Sequence, residues 1–124
     1  MQIDRLDHVN IRTTQLDVMI DWYTNVLGMR IGERPDFPFP GAWMYAGETA
    51  FVHLIQIDGP PAMGAENDLK LEHFAFSASG LKDFEAQLLA REEPYRRSDL
   101  PQMNLVQINV WDPDGNHIHI DFSA

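Results

Sequence analysis

The feature that most constrains this chain is that it repeats. Leu6-Asp7-His8 is answered by Leu71-Glu72-His73 at an offset of 65 residues, and His53 by His119 at an offset of 66. Each half reads as one strand, one helix and three further strands, a βαβββ series. At 124 residues the chain has the size of one domain rather than two. The reading is therefore an α+β domain built from two βαβββ modules. The first spans residues 1–57, a linker 58–69 and the second module 70–124.

The pattern of side chains supports each element. Leu6 to Thr13 alternates as a strand, with Val9 and Ile11 on one face and His8, Asn10 and Arg12 on the other. Thr14-Gln15-Leu16-Asp17 resembles a capping box, and apolar residues then recur at 16, 19, 20, 23, 26 and 27 as one helical stripe. Gly28 suits the C′ position that ends such a helix. Trp22 and Tyr23 are expected to pack against the core. Met29 to Arg34 reads as a short strand. The three prolines of Pro35-Asp36-Phe37-Pro38-Phe39-Pro40 exclude a central strand, so this is a loop. Its two phenylalanines either lie over a pocket or support the core. Trp43 to Ala46 and Thr49 to Ile57 form a hairpin about Gly47, with Phe51, His53 and Ile55 on one face.

The second half follows the same order. Leu71 to Ala78 is a strand, Ser79 is placed to cap a helix, and Leu81, Phe84, Leu88 and Leu89 form that helix's stripe. Pro94 to Arg97 is a short strand or turn. Met103 to Trp111 and Asn116 to Phe122 close the chain as a hairpin. Its turn is set by Pro113, whose ring supplies the φ of a type I turn, and by Gly115 at the exit. Beyond the turn His117, His119 and Asp121 share one face while Ile118, Ile120 and Phe122 share the other.

Taken singly, each histidine is explained as a hydrogen-bonded or half-exposed strand residue. Taken together, four of the five fall at matching places in the two halves, and no packing rule asks for imidazole there. Neutral imidazole is the commonest side-chain ligand of transition metals. If the first and last strands of each half lie side by side, His8, His53, His73 and His119 can converge on one ion. His117 has no histidine counterpart and is expected to be exposed or to support a ligand from behind. For Asp121 the readings are a supporting carboxylate or a solvated strand end.

Composition excludes several partners. Nineteen acidic against nine basic residues give a formal charge of −10, which repels phosphate backbones, so no nucleic acid is expected. No apolar run approaches the ~20 residues of a membrane helix. The first residues lack the basic-then-apolar pattern of a signal peptide, and a cytoplasmic protein is expected. The absence of cysteine excludes disulfides and thiol chemistry.

Four segments carry a family resemblance: Leu6-Asp7-His8-Val9, Trp22-Tyr23-Thr24-Asn25-Val26-Leu27-Gly28-Met29, Leu71-Glu72-His73-Phe74-Ala75-Phe76 and Asp112-Pro113-Asp114-Gly115-Asn116-His117-Ile118-His119-Ile120. With the paired βαβββ halves, they make the chain resemble the vicinal oxygen chelate superfamily. That group includes glyoxalase I, methylmalonyl-CoA epimerase, fosfomycin-resistance transferases, extradiol dioxygenases and bleomycin-binding proteins. The resemblance implies a curved mixed eight-stranded sheet of glyoxalase-like half-barrels. It places a divalent transition metal (iron, zinc, nickel or manganese) on His8, His53, His73 and His119. It also implies a homodimer, with the site within one chain or shared across swapped halves.

The resemblance leaves the reaction open, because one fold hosts many chemistries. Metal-binding relatives commonly carry glutamate at the position of His119, and glyoxalase I also at that of His53. Here both are histidine, so the carboxylate that abstracts a proton in glyoxalase-like isomerisation has no counterpart. Neutral imidazoles also leave the full 2+ charge on an ion. A metal-dependent enzyme acting on a small substrate with vicinal oxygens is therefore expected, with dioxygenase-type chemistry ahead of a glyoxalase-type lyase or isomerase. The other class is a metal-free, drug-sequestering protein of the bleomycin-resistance kind, to which the acidic surface and the Trp43 and Phe37–Phe39 aromatics would suit a cationic drug. Asn10, Arg12, Trp43 and Arg97 are the candidate substrate-binding residues, with Arg96 beside the last.

Overall fold

A computed structural model describes residues 1–60 and 70–124. Most of the expected linker lies outside the described residues. The chain falls into two compact units, Met1–Ala62 and Met63–Ala124.

In the first unit the order is β1 (Val9–Thr13), α1 (Leu16–Asn25), β2 (Arg30–Gly32), β3 (Gly41–Ala46) and β4 (Thr49–Gln56). The sheet order is β1-β4-β3-β2, with β1 parallel to β4 and the other pairs antiparallel. The second unit repeats this with β5 (Phe74–Ala78), α2 (Leu81–Ala90), β6 (Arg96–Leu100), β7 (Leu105–Trp111) and β8 (His117–Ser123), in the order β5-β8-β7-β6. A 3-10 turn, Pro101–Met103, precedes β7. The eight strands expected from the sequence are thus hydrogen-bonded as two four-stranded mixed sheets, one per module. The repeat extends to register. Val9 pairs with Val52 and Asn10 with His53, while Phe74 pairs with Ile118 and Ala75 with His119.

Alternation decides which face each residue serves. On β3 and β4, Ala42, Met44, Val52 and Leu54 are buried, on the face opposite Trp43 and His53. Helix α1 lies against β2, β3 and β4 and buries Met19 and Tyr23 of its stripe, with Trp22 beside them. Trp22 and Tyr23 meet edge to face at 5.0 Å. In the second unit Leu88, Val106, Ile108, Val110, Ile118, Ile120 and Phe122 are buried.

Three local features differ from the sequence reading. Strands β1 and β5 begin after His8 and His73, so both histidines sit at strand mouths. Helix α1 has no side-chain bond from its N-cap, Gln15. Instead the Leu16 amide donates to Gln56 Oε1 at 3.0 Å and the Gln15 amide to Thr13 Oγ1 at 3.1 Å. Forty residues separate Leu16 from Gln56, beyond the reach of a local capping motif. At α2 the N-cap is Gly80, at φ 87°, with no side-chain bond, rather than Ser79. The closing turn follows the reading. The Gly115 amide donates to the Asp112 carbonyl at 2.8 Å with Gly115 at φ 85°, and the Asp112 carboxylate gathers the amides of Asp114 and Asn116 at 3.0 and 2.9 Å.

Candidate metal and substrate site

Each module brings its two predicted histidines together. In the first, the register that sets Asn10 beside His53 puts His8 on the same face, and the His8 and His53 rings stack at 4.0 Å, 12° from parallel. Trp43, directly across from His53 on β3, continues the stack at 4.0 Å and 9°. In the second, His73 and His119 stack at 3.8 Å and 11°. The same strand geometry therefore pairs the same residue types twice.

A carboxylate stands immediately before the first histidine of each pair. His8 Nδ1 donates to Asp7 Oδ2 at 2.6 Å, and this bond holds the Asp7 carboxyl below its ordinary range. His73 Nδ1 donates to Glu72 Oε2. A proton held on Nδ1 leaves the lone pair on Nε2, the arrangement found behind metal-ligating imidazoles. Burial, and next the charge His8 would carry, press the His53 imidazole below its ordinary value. Burial acts first on His119 also, followed by His73 and then His117. Both effects favour the neutral form of His53 and His119, the form that binds metal.

The sequence reading did not assign Asp7 and Glu72 a role. Their signal was present, since an acidic residue precedes the matched histidine in both halves. It also treated His117 as exposed or supporting. The ring is buried, 5% exposed, with Nε2 donating to Asn109 Oδ1 at 2.9 Å and Nδ1 facing Glu72 Oε1 at 3.0 Å. It stacks on Trp111 at 5.0 Å. The nitrogens of His73, His117 and His119 lie within 4.8 Å of one another. Asp121, on the His119 face, has one buried carboxylate oxygen, Oδ1, without a hydrogen-bond partner among the described residues.

Of the candidate substrate contacts, Asn10 and Trp43 line a cavity of about 570 Å³ in the first unit, together with His8, His53, Arg34, Phe37 and Phe39. The proline-rich loop reaches this cavity as one of its two readings required. Phe37 and Phe39 stack at 5.2 Å, and the Arg34 guanidinium lies 5.0 and 5.1 Å from their ring centres while donating to the Phe39 carbonyl. Arg12 is exposed on β1 and is not among the lining residues. Arg97 is engaged in its own unit, with Glu85 at 2.7 Å and Asp99 at 2.9 Å. Arg96 donates to Asn109 Oδ1 at 3.3 Å. Among the described residues no helix is long and apolar enough to cross a membrane.

Two mixed sheets of identical order, with paired imidazoles at their matched strand mouths, define a duplicated module of one structural family. The family model for the Glyoxalase/Bleomycin resistance protein/Dioxygenase superfamily matches residues 5–120, and the chain belongs to that superfamily. Two curated relatives are similar over nearly all of it. A protein named Glyoxylase I 4, from Arabidopsis thaliana, is 26% identical over 97% of this chain and 71% of its own length. Biphenyl-2,3-diol 1,2-dioxygenase 3 from Rhodococcus globerulus is 28% identical over 94% of this chain, which spans only 62% of that relative. In fold, the chain is similar to a glyoxylase/bleomycin resistance protein/dioxygenase domain from Frankia sp. EAN1pec. The TM-score is 0.81 at 19% identity, over 99% of this chain and 100% of the other.

Proposed function

We propose that the protein is a metal-dependent enzyme in which His8, His53, His73 and His119 are ligands to a divalent transition ion. The observation carrying this reading is the duplicated pair. Each module stacks two imidazoles, and in each a neighbouring carboxylate directs the Nε2 lone pair of the first outward. The donor set suits iron, zinc, nickel or manganese. When bound, such an ion supplies Lewis acidity toward adjacent oxygens on a substrate and, where redox-active, electrons toward dioxygen.

The chain's own residues bind and orient the substrate. The first-unit cavity offers a flat aromatic wall at Trp43, the Phe37–Phe39 stack at its rim, and the Asn10 amide near His8. This suits a small planar molecule with vicinal oxygens, held by stacking on one side and by hydrogen bonds beside the histidines. Arg97 and Arg12 make weaker candidates, the first because its guanidinium is already satisfied and the second because it stands away from the cavity.

Dioxygenase-type oxidation is favoured over isomerisation because neither His53 nor His119 can serve as a carboxylate base. Biphenyl-diol dioxygenase and Glyoxylase I relatives lie at comparable identity. A specific observation supports the second reading, a glyoxalase-type lyase or isomerase. Asp121 Oδ1 is buried and unpartnered near His119, and a carboxylate so placed is a candidate base for removing a proton beside a carbonyl. Homodimer assembly belongs to the same proposal and is read by light scattering.

The test is elemental analysis of protein purified anaerobically, then oxygen uptake with catechols and other vicinal diols. Stoichiometric metal with diol-dependent uptake is expected. Metal with proton exchange at a carbonyl's α-carbon, lost in Asp121→Asn, selects isomerisation. Metal-free protein that binds a cationic glycopeptide selects drug sequestration and ends the enzyme reading.

A further inference from the structure

Among the described residues, the polar chain behind His73 has no counterpart behind His8. At the places matching Asn109 and His117, the first module carries Trp43 and Phe51. In the second module Asn109, 1% exposed, donates from Nδ2 to the Arg96 carbonyl at 3.1 Å. That bond fixes the amide, so Oδ1 must be the atom accepting from Arg96 Nη2 and from His117 Nε2. His117 is thereby turned with Nδ1 onto Glu72 Oε1. The other oxygen of Glu72 accepts from His73 Nδ1. One carboxylate spans two imidazoles, and its far side is anchored to strands β7 and β6.

His117 lies close enough to His73 and His119 to be counted as a third ligand. The hydrogen bonds argue otherwise. Both ring nitrogens of His117 are already engaged, Nε2 with the fixed Asn109 Oδ1 and Nδ1 with the Glu72 carboxylate, so coordinating an ion would break one of these two contacts.

We propose that Glu72 is a positioning residue for metal binding, locked onto His73 Nδ1 by the His117–Asn109 anchor, and that His117 is not a ligand. This rests on the metal reading above. Fixing the His73 tautomer and ring plane removes freedom that the bound state would otherwise have to freeze. The Asp7–His8 pair performs the same task at the strand mouth of the first module, where among the described residues no such anchor stands behind it.

The experiment is titration of cobalt(II) into the metal-stripped full chain, following affinity and the visible ligand-field absorption. Glu72→Ala is expected to weaken binding ~10–100-fold with the band shape of the unaltered protein, because the ligands remain. Glu72→Gln recovers part of the loss through its carbonyl oxygen. His117→Gln, which keeps a donor toward Glu72, is expected to bind with the same band shape and far less loss than His73→Ala. Circular dichroism confirms that each variant is folded, and Glu72, half-exposed, tolerates truncation. A wild-type affinity in Glu72→Ala overturns this proposal while leaving the metal reading intact, as does an altered band in His117→Gln. No uptake by the unaltered protein overturns both.

Discussion

The two modules share the order of their strands and helices, sheet order and the register of the parallel strand pair that carries the histidines, yet they surround their histidine pairs with opposite chemistries. In the first, His53 is sandwiched between His8 and Trp43, and the open side of the pair faces a cavity walled by aromatics. In the second, Asn109 replaces the tryptophan and His117 stands where Phe51 does, so the pair is backed by hydrogen bonds that run from Glu72 to the buried His117 and Asn109. Duplication preserved what holds an imidazole at a strand mouth and let the layer behind it diverge. On the proposed reading, the first module would receive a flat ligand and the second would hold its histidines still.

The comparison extends to the scaffold, where it can be broken by substitution. Gly41 opens β3 at a point where a Cβ would overlap the Leu54 carbonyl oxygen and the Arg34 side chain. The second module has Gln107 at that place. Gly41→Ala is therefore expected to cost ~1–3 kcal/mol through forced backbone movement, whereas Gln107→Ala creates no overlap. Urea denaturation followed by circular dichroism separates the two, and equal costs would mean the modules are packed alike here.

A smaller effect is expected at the helix starts. Gln56 accepts the first amide of α1, and Gln56→Ala should lose ~0.5–2 kcal/mol, as other side-chain caps do. Helix α2 has no such cap, so Ser79→Ala should stay within about 0.5 kcal/mol. The same unfolding measurement applies, and a large loss at Ser79 would contradict the assignment of Gly80 as its cap.

The smallest effect is common to both modules and sharpens their likeness. His53 and His119 both lie below the ordinary histidine value of 6.5 when folded. Their stabilising contribution is therefore complete above about pH 6.5 and is lost as pH falls through the folded values, where the native state must take up protons it disfavours. Metal-free protein should lose stability on acidification through that window. Replacing His53 or His119 with Gln should flatten the profile by similar amounts.

What could be read from the residues follows from range. The βαβββ order and the matched histidine pairs were legible because strand alternation, helical periodicity and the repeat are all local or self-similar signals. The turn at Asp112–Asn116 was legible because Pro113 and Gly115 dictate φ on their own. Gln56 as the cap of α1 was not, since it arrives from 40 residues away and competes with a local Thr14 motif. The burial of His117 was missed for a like reason. Its partners Glu72 and Asn109 come from 45 and 8 residues away, and only the β7–β8 register sets them on one face. Asp7 and Glu72 were in plain sight, but a carboxylate beside a histidine in sequence reads as noise until the rings are seen to turn toward it.

The central proposal is that two equivalent histidine pairs serve one divalent ion. It is tested most directly by counting ions per chain in metal-reconstituted protein and in the His8→Ala and His73→Ala variants. One ion per chain, with affinity falling in either variant by more than the ~100-fold that loss of an outer partner costs, is the expected result. Two ions per chain with each variant losing only one, or no ion in the unaltered protein, would contradict it.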